Sequence, residues 1–119
     1  MNDKIKPVFD RKHAMGITDG DTKFLKELME MFNDDYPEKL DDISKAIKEK
    51  NFNALDKTAH SLKGSSGNLG LTGVYELSWK LEKLGKAKDI EDTNKTLDEL
   101  KEELERFSKF ISKPGWEEE

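Results

Sequence analysis

The sequence predicts an all-α protein: an antiparallel four-helix bundle with a short N-terminal helical segment. Apolar residues recur at intervals of three and four, only three prolines occur, and the breaks between periodic stretches are short. This spacing puts the apolar side chains on one helix face, and short connections make neighbouring helices antiparallel. Because no repeat or change in composition divides the 119 residues, we expect one domain. Its core is expected at about 19–112, and 113–119 is expected to be a mobile tail.

Local signals place the first helices. The segment VFDRKHAM predicts a short helix that Asp10 caps. Helical spacing resumes at Asp21, and either Asp19 or Asp21 is the candidate N-cap. Pro37 interrupts this stretch, since it lacks the N–H of a helical hydrogen bond. It therefore predicts either a kink in a long helix or the start of a second helix.

Three further helices are expected after residue 50. Asn51 and Asn53 are the candidate N-caps of the first of them. The second is predicted to end at Gly85, because glycine commonly occupies the position just past a helix. The last is predicted from about Asp89 to Ser112, where its apolar spacing ends before a proline and a glycine.

Composition and charge narrow the classes of partner and location. Charged residues make up 39% of the chain and the net charge is −5, so nucleic acid and anionic membranes are not expected partners. No apolar run approaches the length of a membrane span, and the N-terminus lacks the apolar region of a signal peptide. We therefore expect a soluble, cytoplasmic monomer. The absence of cysteine excludes thiolate and disulfide chemistry.

One stretch, AHSLKGSSGNLG at 59–70, departs from an ordinary helix. It holds three glycines beside one of the two histidines, and each glycine costs a helix about 1 kcal/mol relative to alanine. At 100° per residue, His60 and Gly64 fall about 140° and 180° from Leu55, away from the apolar face. The histidine is therefore predicted to be exposed, with open space above its ring. Gly67 is expected to extend that opening.

The residue types around His60 favour phosphoryl chemistry. Imidazole offers a neutral nucleophilic nitrogen near pH 7. Lys63, one turn along the helix, can reach a group attached to the ring, and a cation there stabilises phosphoryl charge. Glu82 is predicted at the boundary of the next helix, where a carboxylate can accept from Nδ1–H and leave Nε2 free. His13 has no organised neighbours and is interpreted as an ordinary surface residue.

Other chemistries find little support in the sequence. No phosphate-binding glycine loop occurs, since LGKA at 84–87 lacks the leading glycine and the hydroxyl. Two histidines without an organised acidic set make a weak case for a metal. Ser65 and Ser66 have no second histidine to serve as the base of a hydrolase triad. Tyr75 and Trp79 are interpreted as packing residues. We therefore expect neither an enzyme nor a metal site.

The segment AHSLKGSSGNLGLTGVYELSWKLEKLGK resembles the signature of histidine-containing phosphotransfer (HPt) domains. The shared pattern is His-x-x-Lys-Gly, small residues, Leu-Gly, and a helix ending Leu-Glu-x-x-Gly. The resemblance implies that His60 is the phosphoacceptor, normally through Nε2, and that Lys63 contacts the phosphoryl oxygens. It also implies that Gly64 keeps the approach free and that Glu82 orients the ring through Nδ1–H.

The function implied by this resemblance is that of a phosphorelay carrier in two-component signal transduction. A receiver domain of a response regulator would donate a phosphoryl group from its aspartate, and another receiver would accept it. A hybrid histidine kinase is a further possible partner. No cofactor is expected, because the receiver supplies Mg²⁺. Two alternatives stay open: a phosphoacceptor (P1-type) domain of a chemotaxis-like histidine kinase, and a helical adaptor that is never phosphorylated.

Overall fold

The computed structural model describes residues 7–118, which form helices joined by short turns. In chain order these are α1 (Arg11–Ile17), α2 (Thr22–Lys48), α3 (Phe52–Asn68), α4 (Thr72–Ala87), α5 (Ile90–Ile111) and a terminal 3-10 turn (Trp116–Glu118). Helices α2 to α5 form the bundle, since α2 and α4 each pack against both α3 and α5. The predicted fold class, with its short N-terminal helical segment, is confirmed.

Side-chain caps set where four of these helices begin. Asp10, Asp21, Asn51 and Asp89 each accept a hydrogen bond from a backbone N–H in the first turn of α1, α2, α3 and α5. Asp19 is no cap, because it lies in the preceding turn with a left-handed φ of 56°. These short polar side chains satisfy N–H groups that have no partner inside the helix. The α5 boundaries agree with the predicted ones.

Helix α2 continues through Pro37 without a break. The ring of Pro37 lies on the exposed side of the helix, and Phe32 and Ile43 are buried on either side of it. Packing of these flanking turns offsets the single lost hydrogen bond. The interpretation of Pro37 as the start of a second helix is therefore wrong.

Gly85 does not end α4, contrary to the sequence prediction. The helix continues to Ala87, and Lys88 takes the left-handed C-cap conformation with φ 58°. Gly85 is buried inside the helix, where an added Cβ would lie 3.3 Å from the side chain of Leu55 on α3. The glycine therefore serves the close approach of α3 and α4.

The buried core extends beyond the expected limits of 19–112. Trp116 is only 2% exposed, and Phe9, before α1, is also buried. The Trp116 ring lies 5.8 Å, centroid to centroid, from both Phe9 and Phe110. Both ends of the described chain therefore pack against the bundle at one place. Instead of a mobile tail at 113–119, residues 116–118 form a 3-10 turn; residue 119 lies outside the described residues.

No helix within residues 7–118 has both the length and the apolar character needed to cross a membrane. The long helices instead carry one buried face and one charged face. In α5, for example, Leu97, Leu100 and Leu104 are buried while the acidic and basic residues between them are mainly exposed. This is the pattern of an amphipathic helix in a bundle.

Removing the terminal indole should destabilise the whole bundle. We expect Trp116→Ala to lower the free energy of unfolding by about 3–5 kcal/mol, as for other large buried aromatic side chains. Trp79→Ala is the matched control, because Trp79 is 45% exposed and its loss should cost about 1 kcal/mol or less. Urea unfolding followed by circular dichroism measures both. Equal losses in the two variants would show that the terminal turn does not belong to the core.

Candidate functional site

His60 lies on the outer side of α3. Its neighbours Ala59 and Leu62 are fully buried, which directs the intervening residues outward. The His60 side chain is 67% exposed, and its Nδ1 lies 2.8 Å from Oε2 of Glu82 on α4. A carboxylate can only accept at this position, so Nδ1 bears the proton and Nε2 has the free lone pair.

Glu82 is the centre of a group of charges that joins α3 to α4. Its side chain is only 7% exposed, and Nζ of Lys63 lies 2.7 Å from Oε1. On the other side, Nζ of Lys86 lies 3.4 Å from Oε2 and 3.5 Å from Oδ1 of Asp56. The carboxylate is therefore almost out of contact with water but has an imidazole and two ammonium groups around it.

These partners hold Glu82 in its ionised form. The close contact with the Lys63 ammonium lowers the pKa of Glu82 most strongly, burial acts in the opposite direction, and the His60 hydrogen bond and the charges of Lys63 and Lys86 lower it further. The result is a pKa of about 2, against an ordinary value of 4.5. Near neutral pH the residue is therefore a charged acceptor for His60.

The three glycines of the 59–70 segment have three different surroundings. A Cβ at Gly64 would meet no atom within 4 Å, so the space beside His60 is open as predicted. Gly67 lines the same cavity as Gly64, as predicted, but a Cβ there would lie 3.0 Å from the ring of Tyr75, so Tyr75 bounds the opening at this point. Gly70 lies in the turn after α3 and has a φ of +72°. Residues with a side chain rarely adopt this backbone conformation, whereas glycine adopts it readily.

The aromatic residues of α4 differ in exposure. Tyr75 is partly buried and packs against Gly67, as expected of a packing residue. Trp79 is 45% exposed, and the ammonium groups of Lys83 and Lys63 lie 4.4 and 5.9 Å from its ring centroid. Trp79 therefore forms part of the surface next to the site instead of packing in the core.

The serines beside Gly64 are occupied within their own helix. Ser66 is buried and its hydroxyl donates to the carbonyl of Leu62 at 2.7 Å. The Ser65 hydroxyl lies 3.3 Å from the carbonyls of Ser61 and Leu62. Such back-bonding satisfies hydroxyls that would otherwise need partners inside a helix. Neither serine is arranged as a nucleophile.

Sequence reasoning missed an apolar groove between α1, α2 and α3. Its lining comprises Ile17, Phe24, Leu28, Met31, Phe32, Asp34, Asp35, Ser65, Asn68 and Leu69. Ile17, Phe24 and Met31 are between 43% and 66% exposed, which is unusual for large apolar side chains. The available signal was that Phe24 and Met31 lie off the core stripe of α2, two turns apart. Lys86 was also missed, although it lies one turn after Glu82.

A model of the Hpt domain family matches residues 27–110 of the chain. The chain belongs to this family. Its sequence is 27% identical over 111 residues to the phosphorelay intermediate protein rdeA of Dictyostelium discoideum, covering 92% of the chain and 44% of that protein. It is 37% identical over 62 residues to the phosphorelay intermediate protein YPD1 of Candida albicans, covering 52% of the chain and 34% of that protein. The chain thus spans less than half the length of either relative.

The fold of this Hpt domain also matches a solved structure. Histidine-containing phosphotransfer protein B from Pseudomonas aeruginosa superposes with a TM-score of 0.83, covering 91% of the chain and 94% of that structure. The sequence identity is 20%, so the likeness concerns the arrangement of helices. The two proteins therefore share the helical bundle although most of their residues differ.

Stability should depend on the ionisation of Glu82 at acid pH. A carboxyl pKa lowered from 4.5 to about 2 stabilises the fold by at most about 3 kcal/mol, and by less where solvent screens the exposed Lys86. This stability is present above pH 4.5 and is lost as the pH falls towards 2. We expect Glu82→Gln to be less stable than the parent at neutral pH, with the difference shrinking over this interval.

Urea unfolding at a series of pH values measures this difference. Glu99→Gln is the matched control, because Glu99 is an exposed carboxylate on α5 and its loss should change stability by less than about 0.5 kcal/mol. A Glu82→Gln variant whose deficit stayed constant between pH 5 and 2 would contradict the ionised, paired state of Glu82.

Proposed function

We propose that this Hpt domain is a phosphorelay carrier that accepts a phosphoryl group on His60 from a receiver-domain aspartate and passes it to another receiver. The observation that carries the proposal is the exposed imidazole whose Nδ1 contacts a buried, ionised Glu82 at 2.8 Å. This contact leaves Nε2 as the nucleophilic nitrogen. The names of rdeA and YPD1 as phosphorelay intermediates support the same function.

The transfer step follows from this proton arrangement. The Nε2 lone pair forms an N–P bond while the bond from phosphorus to the aspartyl oxygen breaks, and that oxygen leaves within the aspartate carboxylate. The ring keeps its Nδ1 proton and so acquires positive charge beside Glu82, which stabilises it. Return transfer reverses both bond changes, so the chain is a carrier that is itself phosphorylated and does not act as a stand-alone enzyme.

Lys63 and Gly64 are the neighbours that we assign to the phosphoryl group. Lys63 is 21% exposed and lies one turn from His60, so its flexible side chain can turn from Glu82 to the phosphoryl oxygens. Gly64 leaves the space above the ring open. A cation placed where phosphoryl charge develops commonly accounts for about 10²-fold in rate. Mg²⁺ would come from the receiver.

The apolar groove is the surface on which we place the receiver. Ser65 and Asn68 of α3 line it, and His60 and Gly64 lie on the same helix, so a domain seated in the groove reaches the imidazole. The exposed Ile17, Phe24 and Met31 supply apolar area, and such patches typically mark interaction sites. A receiver donor also implies action in the cytoplasm, with a hybrid histidine kinase as a possible source of the receiver.

Of the two histidines, only His60 should take up phosphate. We expect His60→Gln to abolish labelling by a receiver charged with radioactive acetyl phosphate. The free energy of unfolding should change by about 1 kcal/mol or less, because the side chain is exposed and Lys63 and Lys86 still pair with Glu82. The matched control is His13→Gln, which removes the other histidine, exposed on α1, and should label fully. The phosphate should be acid-labile and base-stable.

Other outcomes of that experiment identify the alternatives. Full labelling of His60→Gln would contradict the assignment of His60. Labelling only by an ATP-binding kinase domain, and by no receiver, would instead indicate a P1-type domain. A chain that binds a receiver but is labelled by neither donor would be an adaptor.

Gly64 and Gly67 should respond in opposite ways to the same substitution. We expect Gly64→Gln to melt no lower than the parent, since nothing lies within 4 Å of the new Cβ and glycine costs a helix about 1 kcal/mol. Helical side chains lean towards the N-terminus, so this glutamine should point at the imidazole and slow labelling. Gly67→Gln should lower stability, because its Cβ meets the Tyr75 ring at 3.0 Å.

Thermal melting and single-turnover labelling of both variants measure these effects. If Gly64→Gln transferred phosphate at the parental rate, Gly64 would not be the point of approach. If it were destabilised instead, the glycine would serve helix packing.

A further inference from the structure

Lys86 lies next to Glu82 but has no role in the transfer step proposed above. Its Nζ lies 3.4 Å from Oε2 of Glu82, the same oxygen that His60 contacts, and 3.5 Å from Oδ1 of Asp56. Asp56 is one turn before His60 on α3, and Lys86 is one turn after Glu82 on α4. Lys86 therefore links α3 to α4 through ion pairs with Asp56 and with Glu82, the residue that contacts His60.

Glu82 needs a second cation because Lys63 is assigned two partners, Glu82 at rest and the phosphoryl oxygens during transfer. At rest, the Lys63 ammonium is the closest cation to Glu82, 2.7 Å from Oε1. If Lys63 turns to the phosphoryl oxygens, a carboxylate that is only 7% exposed loses that partner. An unpaired buried charge is strongly unfavourable, and it would arise when the ring beside it becomes positive and needs the carboxylate.

We propose, on the basis of the carrier function above, that Lys86 is a positioning residue for His60, the standing counter-ion that keeps Glu82 charged and oriented while Lys63 serves the phosphoryl group. The two lysines thus divide the work. Lys63 exchanges one anion for another, whereas Lys86 is tied to Asp56 and stays in place. Lys86 acts through Glu82 and does not touch the phosphoryl group.

The charges that face Glu82 are consistent with this division. Among the described residues, the groups within ion-pair distance of its carboxylate are His60 and Lys63 from α3 and Lys86 from α4. The acidic Asp56 lies outside this set and is linked to Glu82 only through Lys86. Removal of Lys86 therefore weakens the hold on Glu82 and also leaves Asp56 without this cation.

The first test follows Glu82 itself by the ¹³C shift of its carboxyl group during an acid titration. We expect Lys86→Met to move the Glu82 midpoint upward, and to move it further in the Lys63→Met background, which imitates departure of Lys63. Lys86→Arg should restore the parental midpoint. Lys83→Met is the matched control: it removes the same charge from the residue that follows Glu82 on α4, where the ammonium lies over Trp79 instead. This measurement needs no phosphoryl transfer.

The second test follows loading of His60 by phosphoramidate, a small donor that needs no receiver. We expect Lys86→Met to slow loading by about two- to fivefold, the range of an ion pair with one exposed member, and Lys86→Arg to restore it. The defect should shrink at high salt, because Lys86 is 61% exposed. In the Glu82→Gln background, Lys86→Met should have no further effect.

Two results would overturn the proposal: a Glu82 midpoint equal in Lys86→Met and Lys83→Met, or an equal slowing by Lys86→Met with and without Glu82. Failure of the carrier function itself has a different signature. In that case the parent chain takes up no phosphate from any donor, while the titration still reports whether Lys86 holds Glu82.

Discussion

A carboxylate can remain charged inside a protein only where cations or N–H donors surround it, and Glu82 imposes this condition on the whole site. Its side chain is 7% exposed, with His60 and Lys63 on α3 within hydrogen-bonding distance. Because these partners come from the neighbouring helix, α3 and α4 must pack at one separation and one register. The position of the imidazole ring, its tautomer and the resting place of Lys63 all depend on that contact.

Small residues in both helices make this packing possible. Gly67 accommodates the ring of Tyr75, and Gly85 accommodates the side chain of Leu55. At each place a Cβ would lie closer than ordinary van der Waals contact, so a larger residue would require Tyr75 or Leu55 to shift. Gly64 has the opposite character, since it faces open space next to the histidine. In α3, Gly67 therefore allows close packing against α4, whereas Gly64 leaves the space beside His60 open to solvent.

The surface around His60 has two distinct sides. Towards α4 lie Trp79 and the lysines, with the Lys83 ammonium 4.4 Å from the indole centroid. Towards α1 and α2 lies the apolar groove, with Ile17, Phe24 and Met31 in contact with solvent. A partner that covers the imidazole therefore meets cations on one side and apolar side chains on the other. This asymmetry fits the receiver proposed above, because exposed apolar patches typically mark protein interaction sites.

The sequence by itself determined the helical class, the cap at Asp10, the bounds of α5 and the exposure of His60, because each depends on periodicity or on groups within one turn. It did not distinguish Gly64 from Gly67, which differ only in whether Tyr75 lies opposite. Nor did it reveal the burial of Trp116, the interior position of Gly85 or the bridge from Lys86 to Asp56. Those were decided by tertiary structure, because each is a contact between segments whose separation in space no local pattern encodes.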